Sequence, residues 1–276
     1  MAEIGKYNKL KVLRIVDHGA YLNGEELGDI LIPKRYISAN LQVDNEIDVF
    51  IYLDSEDRLI ATTETPLAII GDFALLKVVS VNSVGAFVDW GLMKDLLVPF
   101  REQKQTMEEG KYYFVYIYLD DESKRIVASA KLDKFLDNLP PEYEEGAEVD
   151  ALICNQTDLG YNAIINNLHW GMLYKNEVFQ DLRRGEHIKA YIKKVREDEK
   201  IDLSFYKIGY EKVDEISQAI LDKLNQKKGF IPVSDKSPSE IISKIFGISK
   251  KTYKKAVGSL YKQKLISIDE DGIRLL

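Results

Sequence analysis

Apolar and polar side chains alternate in short runs through the first quarter of the chain. The stretches "LKVLRIVD" (10–17), "GAYLNG" (19–24), "GDILIP" (28–33), "EIDVFIYLD" (46–54) and "RLIATTE" (58–64) place apolar residues at every second position or are rich in β-branched residues. Gly, Asn and Asp separate them. A period of two turns one side of a strand to a core and the other to water. Five short strands in about 65 residues fit a small closed barrel, since closure removes the unpaired edges that so small a sheet would otherwise expose.

The pattern then repeats. "VFIYLDSEDRLIAT" from Val49 and "VYIYLDDESKRIVAS" from Val115 stand 66 positions apart. The same offset superposes Gly19 and Ala20 on Gly85 and Ala86, Asp29 on Asp95, Leu31 on Leu97, Pro33 on Pro99 and Arg35 on Arg101. A fainter third copy follows at a further offset of 75, with Gly85 on Gly160, Glu102 on Glu177, Gly110 on Gly185 and Ser129 on Ser204. Self-similarity at a fixed period is the signature of a tandem array. "TPLAI" around Pro66 and "NLPPEYEEG" around Pro140 and Pro141 suit linkers, because Pro stops strand pairing. The expected barrels are residues 1–66, 67–140 and 141–210.

Beyond residue 210 the period changes to that of a helix. "VDEISQAILDKLNQKKG" (213–229) carries Val213, Ile216, Ala219, Ile220 and Leu224 on one face. "SPSEIISKIFG" (237–247) is expected to start at Pro238 with Ser237 as its N-cap and to stop at Gly247. Ser249 is placed to cap "KKTYKKAVGSLYKQK" (250–264), where Tyr253, Ala256, Val257, Leu260 and Tyr261 form an apolar stripe opposite Lys251, Lys254, Lys255 and Lys262. "LISIDEDGIRLL" (265–276) reads as two strands joined at Asp269–Gly272. Three helices and a terminal hairpin make a winged helix over residues 211–276. The fold class expected is mainly β, three tandem OB-type barrels followed by a C-terminal α+β domain.

Charge sharpens this division. The 276 residues carry a formal charge of -7, yet residues 211–276 hold 13 basic and 9 acidic side chains, while each preceding copy is acidic. From Gly247 to Leu265 there are six lysines and no acid. A basic block on an acidic chain marks a separate partner, and Lys250, Lys251, Lys254 and Lys255 lie within two helical turns, so they can address neighbouring phosphates. The composition, 45% hydrophobic and 30% charged, is globular. The single cysteine, Cys154, forms no internal disulfide framework. The opening residues lack the apolar run of a signal peptide and no uncharged stretch is long enough to span a bilayer, so a cytoplasmic protein without a membrane partner is expected.

"LKVVSVNSVGAFVDWGLMKDLLVPFRE" (76–102) resembles the central strands of the S1 domain, an OB-type RNA-binding module. Gly85 to Asp89 match its Gly-Ala-Phe-Val-Asp core, and Leu97, Val98 and Glu102 match its second half. The first copy gives His18-Gly19-Ala20-Tyr21-Leu22; the third has Asn162 where the others carry an aromatic. The resemblance implies that the positions of His18, Val84, Pro33, Pro99 and Tyr174 help to form a nucleic-acid surface. Residue chemistry points the same way: exposed aromatics give bases something to stack on, and an adjacent guanidinium stacks or pairs with phosphate. Tyr21 and Phe87 are thus either stacking platforms or half-buried strand packing. Arg35 and Arg101 are either phosphate contacts or rim ion pairs with Asp29 and Asp95. In the third copy Tyr161 and Tyr174 are the candidate substitutes for the missing aromatic.

Three S1-like copies followed by a winged helix resemble the conserved virulence factor B family of bacterial RNA-binding proteins. The matching motifs are "GMLYKNEVF" (171–179) and "SKKTYKKAVGSLYKQKLI" (249–266). The family implies RNA binding and a role in regulating gene expression at the RNA level, and the partner expected is single-stranded RNA, ahead of duplex DNA. A DNA-binding transcription regulator acting through the winged helix and a protein–protein adaptor on the ribosome or polymerase are the alternatives. No enzymatic activity and no cofactor or metal are expected: Cys154, His18, His169 and His187 are scattered, and no phosphate loop or nucleophile elbow occurs.

Overall fold

The computed structural model describes residues 1–175, 178, 181–205, 211–262 and 264–276, and only the backbone of residues 211–215. Glu177 of the repeat comparison and the expected boundary at Tyr210 lie outside the described residues. The chain divides into two compact units, Met1–Phe135 and Leu136–Leu276.

The first unit holds two barrels. Barrel 1 contains β1 (Tyr7–Val16), β2 (Gly19–Asn23), β3 (Asp29–Pro33), β4 (Glu46–Leu53) and β5 (Leu59–Thr62). It closes in the order β1-β2-β3-β5-β4. Barrel 2 repeats the scheme with β6 (Phe73–Val81), β7 (Gly85–Asp89), β8 (Leu96–Pro99), β9 (Tyr112–Leu119) and β10 (Ile126–Ser129). Strand alternation sends Val12, Ala20, Leu22, Ile30, Ile32 and Ile51 into the first core, all fully buried. Each buried Val, Leu or Ile among them contributes about 1.5–3 kcal/mol. The repeated glycines allow β2 and β3, and β7 and β8, to approach closely. A Cβ at Gly19 would stand 2.1 Å from the Ile32 carbonyl oxygen, and one at Gly85 would stand 2.3 Å from that of Val98.

The two barrels share a core. Trp90 packs edge-on against Phe50 and Tyr52 of barrel 1, with ring centroids 5.8 and 6.4 Å apart. The Lys94 ammonium donates to the Asp54 carbonyl at 2.6 Å and pairs with Asp57, which also takes Arg125. The segment after Pro66 is packed: Ala68 is buried and the Leu67 amide donates to the Trp90 carbonyl at 2.7 Å.

The second unit contains barrel 3 and the winged helix. Barrel 3 has β11 (Glu148–Gln156), β12 (Gly160–Ile165), β13 (His169–Tyr174), β14 (His187–Val195) and β15 (Ile201–Ser204), in the same closed order. The winged helix has α1 (Glu211–Gln226), β16 (Phe230–Ile231), α2 (Ser239–Phe246), α3 (Lys250–Lys262), β17 (Ile266–Ile268) and β18 (Ile273–Leu275). Strand β16 joins the expected hairpin to make a three-stranded sheet. Tyr253, fully buried among Ile220, Leu224, Ile242 and Leu260, donates its hydroxyl to the Val233 carbonyl at 2.8 Å. Ser249 accepts the Thr252 amide at 3.0 Å and caps α3, as expected. Ser237 does not cap α2: its hydroxyl accepts the Ser234 amide, and Pro238, with extended backbone, takes the cap position. Gly247 ends α2 in the left-handed conformation. Tyr261 leaves the apolar stripe and is 56% exposed. Among the described residues no helix is long and apolar enough to cross a membrane.

Candidate nucleic-acid interface

All three barrels carry a register shift at one equivalent place in their first strand, between Val12 and Arg14, Val78 and Ser80, and Ile153 and Asn155. A bulge re-aims the residue that follows it. Here it sets three outward positions side by side across three strands. In barrel 1 Arg14 faces Tyr21 and Tyr21 faces Leu31; in barrel 2 the trio is Ser80, Phe87 and Leu97; in barrel 3 it is Asn155, Asn162 and Met172.

Barrel 1 makes this face cationic and aromatic. The Arg14 guanidinium lies 4.0 Å from the centroid of the half-buried Tyr21 ring, and Asp29 holds its Nη1 at 2.6 Å. The exposed His18 imidazole stands edge-on to the same ring at 6.2 Å. The His18 carbonyl accepts the Lys34 amide at 2.9 Å, which brings the β1–β2 turn against the end of β3. Lys34 and Arg35 are exposed there and make no salt bridge among the described residues. Arg35 covers the Tyr36 ring at 4.6 Å and its Nη2 lies 3.1 Å from Met93 Sδ.

Neither rim arginine pairs with the aspartate that the sequence suggested. Asp29 is taken by Arg14. Arg101 is held by Asp120 at 3.1 Å and Glu122 at 3.7 Å. Arg58 occupies Asp54, the counterpart of Asp120, and Arg35 has no carboxylate partner among the described residues. Glu102 is also occupied: its carboxylate accepts the Ser129 hydroxyl at 2.6 Å and the Lys134 ammonium at 2.9 Å. Burial pushes that carboxyl up, but these two partners outweigh burial and bring it below the usual range. The Glu and Ser of the repeat therefore tie β10 to the turn after β8.

Barrel 2 keeps the half-buried Phe87 outward but replaces Arg14 by Ser80 and His18 by Val84. At the far end of the face stand Asp89 and Asp95. Burial, then the neighbouring Asp89 charge, raises the Asp95 carboxyl. Barrel 3 departs further. Tyr161 is 7% exposed and belongs to the barrel core, so it is not a surface platform. The reason is strand period: Tyr161 follows Gly160 at the inward position of Ala20 and Ala86, and Asn162 takes the outward one. Tyr174 is half-buried, and its hydroxyl accepts from Arg196, which pairs with Asp202 at 2.8 Å.

Helix α3 presents its lysines unequally. Lys250 donates to the Lys236 carbonyl at 3.3 Å and Lys254 pairs loosely with Asp235 at 3.7 Å. Lys251 and Lys255 are exposed and make no salt bridge among the described residues. The wing is acidic, and its one base, Arg274, is held by Asp269 and Asp271 at 2.9 and 2.8 Å while covering Phe230.

Comparison with known proteins agrees with both architectures. A family model described as an S1 domain matches residues 4–64 and 70–131, and one described as a CvfB-like winged helix domain matches residues 218–275. A protein of Staphylococcus saprophyticus named conserved virulence factor B is 26% identical over 99% of this chain and 94% of its own. The chain thus carries S1 domains and a CvfB-like winged helix domain, and is similar over nearly its full length to proteins named conserved virulence factor B. The homologue of that name in Staphylococcus aureus strain USA300 is 26% identical over 85% of this chain and 81% of its own. A solved structure from Streptococcus pneumoniae, described as a multidomain protein with nucleic acid binding domains, is 24% identical, covers 99% of this chain and 98% of its own, and has a TM-score of 0.43. S1 domains together with a winged helix are the domain types of nucleic-acid-binding proteins.

Of the residues singled out by sequence, the structure brings His18, Tyr21 and Arg35 to one end of barrel 1 and leaves Phe87 and Arg101 on barrel 2. Arg14 and Lys34 were missed. Neither recurs in the second copy, where Ser80 and Phe100 stand, so repeat identity carried no signal for them. Only the bulge places Arg14 on Tyr21. Cys154 lies in the core, where burial pushes its thiol up to about 12 and keeps it protonated.

Proposed function

We propose that this chain is a non-enzymatic RNA-binding protein that acts on gene expression at the RNA level. It is built as four domains, residues 1–66, 67–140, 141–210 and 211–276, and grips single-stranded RNA chiefly on barrel 1. The observation that carries this is the Arg14–Tyr21–His18 cluster beside Lys34 and Arg35, which make no salt bridge among the described residues, on a barrel that is otherwise acidic. A guanidinium stacked on tyrosine presents a flat cationic surface on which a base stacks, and two neighbouring cations address its phosphates. Lys251 and Lys255 on α3 supply a second, weaker phosphate contact. The wing argues against a duplex grip: a strand that enters the minor groove needs Arg or Lys at its tip, and Arg274 is already neutralised by its own turn. The test is binding to single-stranded RNA against duplex DNA of equal length at one salt concentration. RNA is expected to bind more tightly; tighter duplex DNA would establish the transcription-regulator reading, and binding to neither would leave the adaptor.

A further inference from the structure

Barrel 1 does not end its cationic rim in open solvent. Arg35 reaches Met93 Sδ, and Met93 is 66% exposed on the loop between β7 and β8 of barrel 2. From that loop β8 carries Leu97 outward beside Phe87, and Pro99 pairs with Gly85 at the other end. Phe100 follows Pro99 at 49% exposure and Val84 precedes Gly85 at 53%. Val84, Phe87, Leu97 and Phe100 thus form an apolar strip on the outside of barrel 2, at the positions where barrel 1 has His18, Tyr21, Leu31 and Lys34. The four side chains of the strip carry no charge to offer a phosphate. Arg101 is held by two carboxylates, Lys94 and Arg125 are committed to Asp57, and Asp89 and Asp95 stand at the Met93 end without a salt bridge among the described residues. Lys77, opposite Asp89 in the ladder, makes no salt bridge with it. Nucleobases are different: they are uncharged, their faces are flat and apolar, and their exocyclic amines donate to carboxylates.

The geometry points to barrel 2 as a base-only extension of the barrel 1 site. A single strand held by its phosphates at Lys34 and Arg35 passes over Met93, and the Asp89–Asp95 pair turns its phosphates outward. Its bases then lie on Val84, Phe87, Leu97 and Phe100. This rests on reading barrel 1 as a nucleic-acid face. The shared core at Trp90 keeps the two faces in fixed register, so the second half of the strand binds without a further search.

The experiment uses the full chain and two unstructured mixed-sequence RNAs of about 5 and about 15 nucleotides, which bracket the site of one barrel. Affinity is measured across a salt series. Phe100→Ala and Phe87→Ala are each expected to weaken the longer RNA by about 5- to 150-fold, to leave the shorter one unchanged and to leave the salt slope unchanged. Arg35→Gln is expected to weaken both RNAs and to flatten the slope. If Phe87→Ala loses its fold, Phe100→Ala decides, because that side chain is half exposed. Wild-type affinity of Phe100→Ala for the longer RNA, at an unchanged melting temperature, overturns the base-only strip while barrel 1 stands. A slope that falls in either phenylalanine variant also overturns it, since phosphates would then be held there. Failure of the wild type to bind either RNA overturns the barrel 1 reading and this inference together.

Discussion

Barrels 1 and 2 share a strand order, a bulge position and a glycine-permitted strand approach, yet their outer faces are opposite in character. Barrel 1 stacks Arg14 on Tyr21 and leaves Lys34 and Arg35 without a salt bridge among the described residues; barrel 2 shows Ser80, Val84 and Phe100 at the same places and commits Arg101 to Asp120 and Glu122. Inward positions of the repeat are held by a core that tolerates few changes. Outward positions answer only to what binds there. In a tandem array, then, identity between copies reports the fold, and difference between copies reports the division of labour.

The largest expected effect breaks the union of the two barrels. Trp90 has Gly24 as its counterpart in barrel 1, so this indole contact between the barrels is supplied by the second copy. Trp90→Ala, at a side chain 2% exposed, is expected to destabilise the first unit by about 3–5 kcal/mol. Denaturant unfolding followed separately in each barrel should show one transition in the wild type; two independent transitions there would mean that the shared core does not couple them. Next in size is Tyr21→Ala. It is expected to weaken single-stranded RNA by about 1–3 kcal/mol with little loss of stability, since the ring is half-buried on the outer face. A melting temperature that drops by several degrees with unaltered binding per folded molecule would make Tyr21 packing alone.

Smaller effects sharpen the comparison. Lys251→Gln with Lys255→Gln is expected to lower the slope of log affinity against log salt by up to about 1.4, at roughly 0.7 for each phosphate on a single strand. Adding Lys250→Gln and Lys254→Gln should extend the loss by less than that, because those two side chains already have partners. Gln preserves helix propensity, so α3 should remain folded. If the double variant keeps the wild-type slope, the lysines only solubilise the helix. The smallest effect is at Asp95, whose carboxyl is raised above the ordinary 3.8 first by burial and then by Asp89. A raised carboxyl penalises the charged form in the folded state, so the penalty is fully present above the folded value and disappears as pH falls below 3.8. Asp95→Asn should therefore raise the denaturation midpoint slightly at pH 7 and give no gain near pH 3; an equal gain at both would assign the effect to packing.

Most of the architecture was legible because it follows from periodicity. The alternation of "GAYLNG" and the 66-residue offset located the strands of barrels 1 and 2, and the 3.6-residue spacing of Ile216, Ile220 and Leu224 located α1. Less of the interface was legible. The sequence showed that Tyr21 and Phe87 are equivalent, but not that a bulge lays Arg14 on one of them and Ser80 beside the other. It grouped Arg35 with Arg101, whereas the first has no carboxylate partner among the described residues and Asp120 and Glu122 occupy the second. Tyr161 was misread because an aromatic next to the repeat glycine was matched by type, when one step along a strand reverses its face. The four lysines of α3 read as equal until Asp235 and the Lys236 carbonyl took two of them.

Barrel 1 is proposed to grip phosphate where barrel 2 does not. The direct measurement is the salt dependence of single-stranded RNA binding by the full chain carrying Lys34→Gln and Arg35→Gln, beside a chain carrying Arg101→Gln. The first is expected to lose about 1.4 from the slope, two phosphates at roughly 0.7 each, and the second to lose nothing. An unchanged slope in the first, or an equal loss in both, would contradict it.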